Sequence, residues 1–573
     1  MKKIFRIIAL ILVVIFLVAA CAPAADTPTG ADPAAPTEPA PGNGVVEQAP
    51  PFDGDIWFSP MPEPITIRVG GGFGVAEGAV PPGTTLENMM LNELLAEMNI
   101  HLEWMWAVPN EQANERLQLA LATGDVPDII DLTDSIDFFE LAGFGQLRDL
   151  RPAMDRYILP EIREMYRYFN DVPLEIASMD GSLLAIPHVV DSFQGMPLIW
   201  YRYDWMTQLG ISLPTNLDEF QAMLQAFADN QMGGPNTVPL SMQNEPVHWA
   251  PDARAIFQGY GAYPETWLNR GGELVFGSIQ PETEQALLRL RDMYASGLLN
   301  PEFGTMNVDM VVEEIVADRV GAISGEWWLP NWPLNTHLEA NPDAEWRGMP
   351  ILTPDGSPGI VSIRRNNIHV YHVVTANAPP GTEEALMRII NLRWAIDYWP
   401  DTLERFGERV LPESGYVYNW GPGRIILAHE QYVNFVALRE AIATGNTDHF
   451  TSSQQRDLWT AYQVLEQGLV TEDMSWATAW GLHVSRVAEG GGWDSNMQIM
   501  QNNQFIFNEF YGEPTPTEVA RFSILHDMWL EFFVSFVMGL TPETAFADFV
   551  NDWRSLGGDD WTAEVNQQFR EMN

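Results

Sequence analysis

The sequence predicts an α/β fold organised as two lobes, and two observations carry that reading. From residue 65 onward, short alternating strand patterns are interleaved with segments of 3.6-residue periodicity. The chain has 573 residues, of which 46% are apolar. At roughly 100–200 residues per domain, this is enough for two sizeable cores plus tails.

The elements follow in chain order. Ile65–Val69 reads as a strand running into Gly70-Gly71-Gly72-Phe73-Gly74, and Leu86, Met89, Met90, Leu94 and Met98 form one helical stripe. His101–Ala107 alternates as a strand, and Glu111–Thr123 reads as a helix that turns Ala113, Leu117, Ala120 and Leu121 inward. Gly124 stops it, and Asp128–Leu132 is the next strand. Between Leu183 and Arg202, two extended apolar pieces flank a Gly-Met-Pro turn, and a more helical region begins at Asp204. Leu217–Ala228 is amphipathic; Pro281–Ser296 has proline in its first turn and Gly297 after its end. Val320–Ser324 is a strand that stops at Gly325-Glu326-Trp327-Trp328, and a Pro/Gly-rich stretch precedes the strand Ile368–Val374. The tail is mostly helical. Val519, Phe522, Leu525, Trp529, Phe532, Phe533, Phe536 and Val537 keep helical spacing and read as core.

The N-terminus carries an address. Lys2, Lys3 and Arg6 precede an uninterrupted apolar run from Ile7 to Ala20, too short to span ~30 Å of hydrocarbon as a helix. Residues 1–20 therefore read as a signal peptide. Val18-Ala19-Ala20-Cys21 resembles a bacterial lipobox, which predicts that Cys21 is lipidated. Cys21 is the only cysteine, so disulfides, CxxC redox pairs and thiolate zinc sites are excluded. Residues 21–64, rich in Pro, Ala, Thr and Gly, read as a disordered tether.

Charge narrows the chemistry. Against 77 acidic residues stand 30 basic ones, a net charge of −47; such a surface repels phosphate backbones and excludes nucleic acid. The same balance argues against polyanionic glycans. Lys2 and Lys3 are the only lysines, so none remains for a Schiff base or a phosphate loop. The 21 tryptophans suit large cores or flat ligand-stacking platforms.

Catalytic motifs fail on inspection. Gly72-x-Gly74 has Glu77 where a dinucleotide loop needs its third glycine, and His429-Glu430 has Val433 where a zinc-protease motif needs its second histidine. His369 and His372 lie three apart on a strand, which predicts opposite faces and no shared metal. No G-x-S-x-G elbow occurs. With so many acids, close carboxylate pairs of the glycosidase type stay open.

A series of motifs then points to a family. These are Glu115-Arg116-Leu117 with Gly124-Asp125-Val126-Pro127-Asp128-Ile129-Ile130, Leu184-Ala185-Ile186-Pro187, and Leu198–Gly210 followed by Leu213-Pro214-Thr215 and Leu217-Asp218-Glu219-Phe220. The tail adds Phe510–Thr517 and Phe549–Gly558 leading into Glu564-Val565-Asn566. The series resembles the family 1 extracellular solute-binding lipoproteins of bacterial ABC importers, in particular the LplA-like subgroup that takes oligosaccharides. That resemblance implies a type II periplasmic-binding-protein-like fold: two α/β lobes joined by a multi-strand hinge, with a helical C-terminal region. It places residues 65–200 in lobe I, 201–355 in lobe II and 356–410 back in lobe I, with 411–573 completing lobe II and the hinge. It also implies a lipid-anchored, monomeric extracellular receptor, not an enzyme, that delivers an oligosaccharide to permease subunits. No cofactor is expected. Some relatives carry a calcium loop where this chain has Asp229 to Val238, and here most of its carboxylate and amide ligands are missing, so no metal is expected either. The residues themselves leave open a surface glycosidase or lyase, and a ligand-sensing receptor for a sensor kinase.

Open α/β sheets bind ligands at the carboxyl ends of their strands, which selects the candidate contacts. Trp327 and Trp328 follow the Val320–Ser324 strand, where a Trp-containing turn of maltodextrin-type binding proteins lines the cleft. Trp106 and Asp131 lie near the ends of the second and third strands, and Trp249 follows the Pro239–Gln243 segment. Trp200, Tyr201 and Arg202 sit at the first crossing between lobes, where hinge packing competes with ligand contact.

Overall fold

Two sheets, each with its own core, organise the chain. A computed structural model describes residues 56–73, 90–247, 250–364, 367–399, 421–468 and 474–572. The signal peptide, Cys21, nearly all of the tether, Leu86, Met89 and Trp249 lie outside the described residues. The strands run β1 (Ile65–Phe73), β2 (Ile100–Pro109), β3 (Ile129–Leu132), β4 (Ile186–Val189), β5 (Leu198–Arg202), β6 (Val238–Leu240), β7 (Val320–Gly325), β8 (Trp346–Met349), β9 (Val361–Arg364), β10 (Ile368–Val374) and β11 (Phe505–Asn508).

The first sheet has the order β2-β1-β3-β10-β4. Its β1, β2 and β3 are parallel, as helical crossovers require, and β10 pairs antiparallel with both β3 and β4. Its core gathers Ile67, Val69, Leu95, Ile129, Phe138, Tyr166 and Ile389. The second sheet has the order β8-β5-β7-β6. Its central β7 is buried at every position, the pattern of a strand covered on both faces. Trp200, Phe220, Phe227, Leu287, Trp529, Phe533 and Trp553 fill this second core.

The expected helices form at Asn110–Thr123, Leu217–Asp229 and Pro281–Ala295, and Met90–Glu97 carries the described part of the first stripe. In the C-terminal helix Pro516–Val537, opened by a capping box between Thr515 and Glu518, the stripe is buried from Leu525 onward. Val519 is 58% exposed and Phe522 38% exposed, which corrects the reading of the whole stripe as core. The period is right, but the first turns run past the surface they would pack on. In the Asp229–Val238 turn, the Thr237 hydroxyl accepts from Gly233 N–H at 2.9 Å and donates to the Gly234 carbonyl at 2.7 Å.

The two sheets are joined by several crossings. The first lies at 190–197, since β5 belongs wholly to the second sheet. There, the Asp191 carboxylate accepts from Phe193 N–H at 2.9 Å and opens the short turn Ser192–Gly195. Val190 N–H donates to the Asn367 carbonyl at 3.1 Å, and the Asn367 amide donates back to the Val190 carbonyl at 2.8 Å. The returning β9 pairs in parallel with β11, Val361 opposite Phe505, so the hinge is multi-stranded.

One local irregularity changes an expectation. The β10–β4 register jumps between Ile368 and Val370, leaving His369 as an extra residue. This bulge brings His369 and His372 around the same neighbour, with ring centroids 6.3 Å and 6.5 Å from His188. The opposite-faces prediction is overturned. No three His, Cys, Asp or Glu side chains among the described residues are grouped so as to hold a metal ion. Among the described residues, no helix is long and apolar enough to cross a membrane.

Candidate functional site

Because Gly325 of β7 lies opposite Leu198 of β5, the turn Glu326-Trp327-Trp328 faces the first crossing. Glu326 is 7% exposed, and one of its oxygens takes the Arg254 guanidinium. Arg254 also grips the buried Asp252 and donates to the Gly195 carbonyl at 3.0 Å. Beneath, Trp200 Nε1 donates to the Glu326 carbonyl at 3.2 Å. Trp327 meets Trp493 edge-on at 5.6 Å, and the Arg486 guanidinium stands 4.9 Å over the Trp327 ring. The helix Gly492–Gln501 docks here because its first residue is glycine: a Cβ at Gly492 would lie 2.4 Å from the Trp327 carbonyl oxygen.

The first sheet contributes the carboxyl ends of β2, β3 and β4 and the start of β10. His372 Nδ1 lies 2.7 Å from the Asp131 carboxylate and its Nε2 lies 2.9 Å from the Arg424 carbonyl. His188 stacks on His372, and burial, reinforced by His372, pushes the His188 pKa well down. Trp106 lies over Gly70, where a Cβ would come within 2.3 Å of the indole. Arg364, the last residue of β9, reaches solvent, yet surrounding protein lowers its pKa and Arg254 lowers it further.

Around the turn lies a set of buried polar atoms with no hydrogen-bond partner among the described residues, part of a larger number spread over the molecule. Glu326 Oε2, Trp327 Nε1, Gln194 Nε2, Asn496 Oδ1, His188 Nε2 and the Nε atoms of Arg424 and Arg486 all belong to it. Contacts between residues tie much of the set together. Asn496 donates to the Phe193 carbonyl at 3.1 Å beside Gln194, and Arg486 covers Trp327. Leaving such a group unpaired costs about 1–3 kcal/mol, and folded proteins rarely tolerate it. Burial also shapes the charges nearby. It pushes Asp252 up to about 6 despite Arg254 and Glu430 up to about 7 despite a 2.9 Å bond from the Tyr398 hydroxyl; Arg486 falls to about 10.

A separate cavity of about 220 Å³ opens beside the hinge, lined by Phe169, Ile176, Val190, Asn367, Phe507 and Tyr511 among others. None of its lining residues carries a buried polar atom lacking a partner, so it does not share the chemistry of the site.

Of the residues singled out from sequence, Trp327 and the half-buried Trp328 sit on the turn at the site. Half-buried Trp106 and Asp131 lie at the strand ends of the first sheet. Trp200, Tyr201 and Arg202 are 0%, 3% and 3% exposed and lie in the second core. Arg202 pairs with Asp204 at 2.6 Å and with Asp318, and stands 4.4 Å from the Trp205 ring. Arg254, Arg364, Arg424, Arg486 and Asn496 were not signalled by any motif, and Glu430 appeared only in the zinc-protease pattern that failed. The arginines' only trace in the sequence is a charged residue set among apolar neighbours, as in the Val484–Val487 segment around Arg486.

Over residues 77–386 the chain matches the family described as bacterial extracellular solute-binding protein. FusA of Streptococcus pneumoniae, named as a fructooligosaccharide ABC transporter substrate-binding protein, is 22% identical over 260 residues, 42% of this chain and 46% of that protein. The match thus spans under half the length of that relative. Among solved structures, alginate-binding protein AlgQ2 aligns with a TM-score of 0.60 and 13% identity over 90% of this chain and 99% of its own. An HMO-binding, ABC-transporter-associated solute-binding protein from Bifidobacterium longum infantis gives 0.60 and 13% over 89% and 99%. At such identities the likeness shows the fold, which is the two-lobed type II arrangement described above. With more than half of its length matched, the chain belongs to the bacterial extracellular solute-binding proteins.

Proposed function

We propose that the protein is the lipid-anchored substrate-binding component of an ABC transporter, which captures an oligosaccharide between its two lobes and delivers it to a membrane permease. The observation that carries this reading is the mixed character of the partnerless atoms. Glu326 Oε2 and Asn496 Oδ1 accept, whereas Trp327 Nε1, Gln194 Nε2 and the arginine Nε atoms donate. A single ion satisfies one sign only, and an apolar ligand satisfies neither. Sugar hydroxyls donate and accept from the same group, while indoles such as Trp327, Trp328 and Trp106 suit the flat C–H faces. The name of FusA supports an oligosaccharide as the ligand.

In this reading Trp327, Trp328, Trp106 and Asp131 contact ligand, and Trp249 stays in the set, three residues before Asp252. Trp200, Tyr201 and Arg202 act from below, holding the turn in place. Closure of the lobes follows from contacts available only when both touch the sugar. Cys21 anchors the mature protein outside the cell as a monomer, without catalysis or cofactor.

Thermal-shift and calorimetric titration of the purified mature protein against oligosaccharides tests this. Ligand at 100 times its Kd should add about 2.7 kcal/mol of stability. Trp328→Ala should weaken binding at least tenfold, with the sugar recovered intact. Recovery of shorter fragments would make the protein a glycosidase or lyase, and silence across neutral and acidic sugars would overturn the receptor reading.

A further inference from the structure

Four arginines approach the site, and they are not equivalent. Arg254 is neutralised twice, by Asp252 and Glu326, and these carboxylates raise its pKa against the cost of burial. Arg364 stands near this trio, exposed on one side, with no hydrogen bond or ion pair among the described residues; Arg254 acts on it as a like charge, and Glu265 and Glu326 oppose that effect from beyond pairing distance. Arg486 donates to the Ser485 hydroxyl at 2.9 Å and lies over Trp327, but its Nε is buried without a partner and no carboxylate pairs with it. Arg424 lends its carbonyl to His372, and its Nε is buried and unpartnered as well. Among the described residues, the acid positioned to offset Arg424 and Arg486 is Glu430. Burial favours its neutral form, and its Oε1 already accepts from Tyr398.

These arginines stand without a paired carboxylate among the described residues, in a chain of net charge −47. Elsewhere arginines such as Arg148, Arg289 and Arg388 find acidic partners. A partly buried cation without an anion is costly, and a hydroxyl accepts its hydrogen bond without neutralising it. A carboxylate does both, and it fits the guanidinium fork in bidentate fashion. Among the described residues no carboxylate pairs with Arg364, Arg424 or Arg486, so the negative group is expected on the ligand.

Resting on the receptor reading above, we propose that the ligand is an acidic oligosaccharide, whose ionised carboxylates pair with Arg364 at the hinge and with Arg424 and Arg486 at the far side of the tryptophan turn. This reverses the expectation drawn from net charge: the field that decides is the local one. A uronate unit within the chain and a terminal carboxylated sugar both supply the group, and two probes separate them.

The test is calorimetric titration of the mature protein with trigalacturonate, with its methyl ester and with sialyl-lactose, beside neutral maltotriose and kestose. At least one acidic sugar should bind, with esterification weakening it a hundredfold or more. Which acid binds identifies the source of the carboxylate. Arg364→Gln and Arg486→Gln should each weaken binding tenfold or more, while Arg364→Lys retains part of it. Circular dichroism and urea midpoints like those of the parent protein show that the variants fold. Binding of a neutral sugar as tight as, or tighter than, that of any acidic one overturns the proposal and leaves the receptor reading standing. Acidic binding indifferent to both glutamine variants also overturns it. Binding of no sugar removes the receptor reading and this inference together.

Discussion

Glu430 is 9% exposed, and burial pushes its carboxyl from 4.5 up to about 7, with Asp397 adding to the rise and the Tyr398 hydroxyl opposing it. The folded state thus prefers the protonated acid. Stability from this group is complete below pH 4.5 and is lost as pH rises through about 7. The shift corresponds to about 3 kcal/mol. Asp252, pushed from 3.8 up to about 6 by burial, acts with the same sign over a lower window. His188 acts oppositely: burial keeps it neutral, so its contribution is lost as pH falls below 6.5. The difference between parent and Glu430→Gln isolates the first effect. In urea unfolding, the variant should gain about 2–3 kcal/mol relative to the parent between pH 5 and pH 8. A variant whose stability runs parallel to the parent across that range would show that Glu430 titrates normally.

At the scale of elements, the tryptophan turn is held by the helices that dock on it. Gly492→Ala places a methyl 2.4 Å from the Trp327 carbonyl oxygen, a backbone atom that cannot rotate away. The helix Gly492–Gln501 must shift, at a cost of about 1–3 kcal/mol. The lowered thermal midpoint should come with loss of ligand affinity, because Trp493 and Asn496 ride on the same helix. An affinity unchanged in a folded Gly492→Ala protein would detach that helix from the site. Elements of this kind were largely legible from periodicity. The strand running into Glu326-Trp327-Trp328 and the helices Asn110–Thr123, Leu217–Asp229 and Pro281–Ala295 came from alternation, 3.6-residue spacing and stop signals, whereas the helices between Ser135 and Ile176 did not. Two further things were not legible. The bulge at His369 depends on how β10 pairs with β4, and pairing is not written in either strand alone. Arg364, Arg486 and Glu430 converge from separate segments through tertiary packing, so no local spacing connects them. At Trp200, where hinge packing competed with ligand contact, the side chain lies in a strand buried at all its positions.

Across the whole molecule, the two electrostatic scales oppose each other. A net charge of −47 repels an approaching anion over the Debye length, about 30 Å at 0.01 M salt and about 8 Å at 0.15 M. On the proposed reading, Arg364, Arg424 and Arg486 attract it only once it has entered. The two regimes respond to salt differently. Added salt screens the outer repulsion and should speed association of trigalacturonate severalfold. Within the site the pairs are partly buried and less screened, so dissociation should rise more modestly. A neutral sugar should show neither trend. Stopped-flow tryptophan fluorescence between 0.01 M and 0.3 M sodium chloride reads both rates, with Trp327 and Trp328 as the reporters the proposed site supplies. Association that slows with salt would mean that the cleft mouth itself is positive, so that the acidic surface does not govern approach. Association that quickens, together with binding lost in Arg364→Gln, would place attraction inside the cleft and repulsion outside it. The surface charge would then act as a kinetic filter, admitting an anion that binds well enough inside to repay the approach.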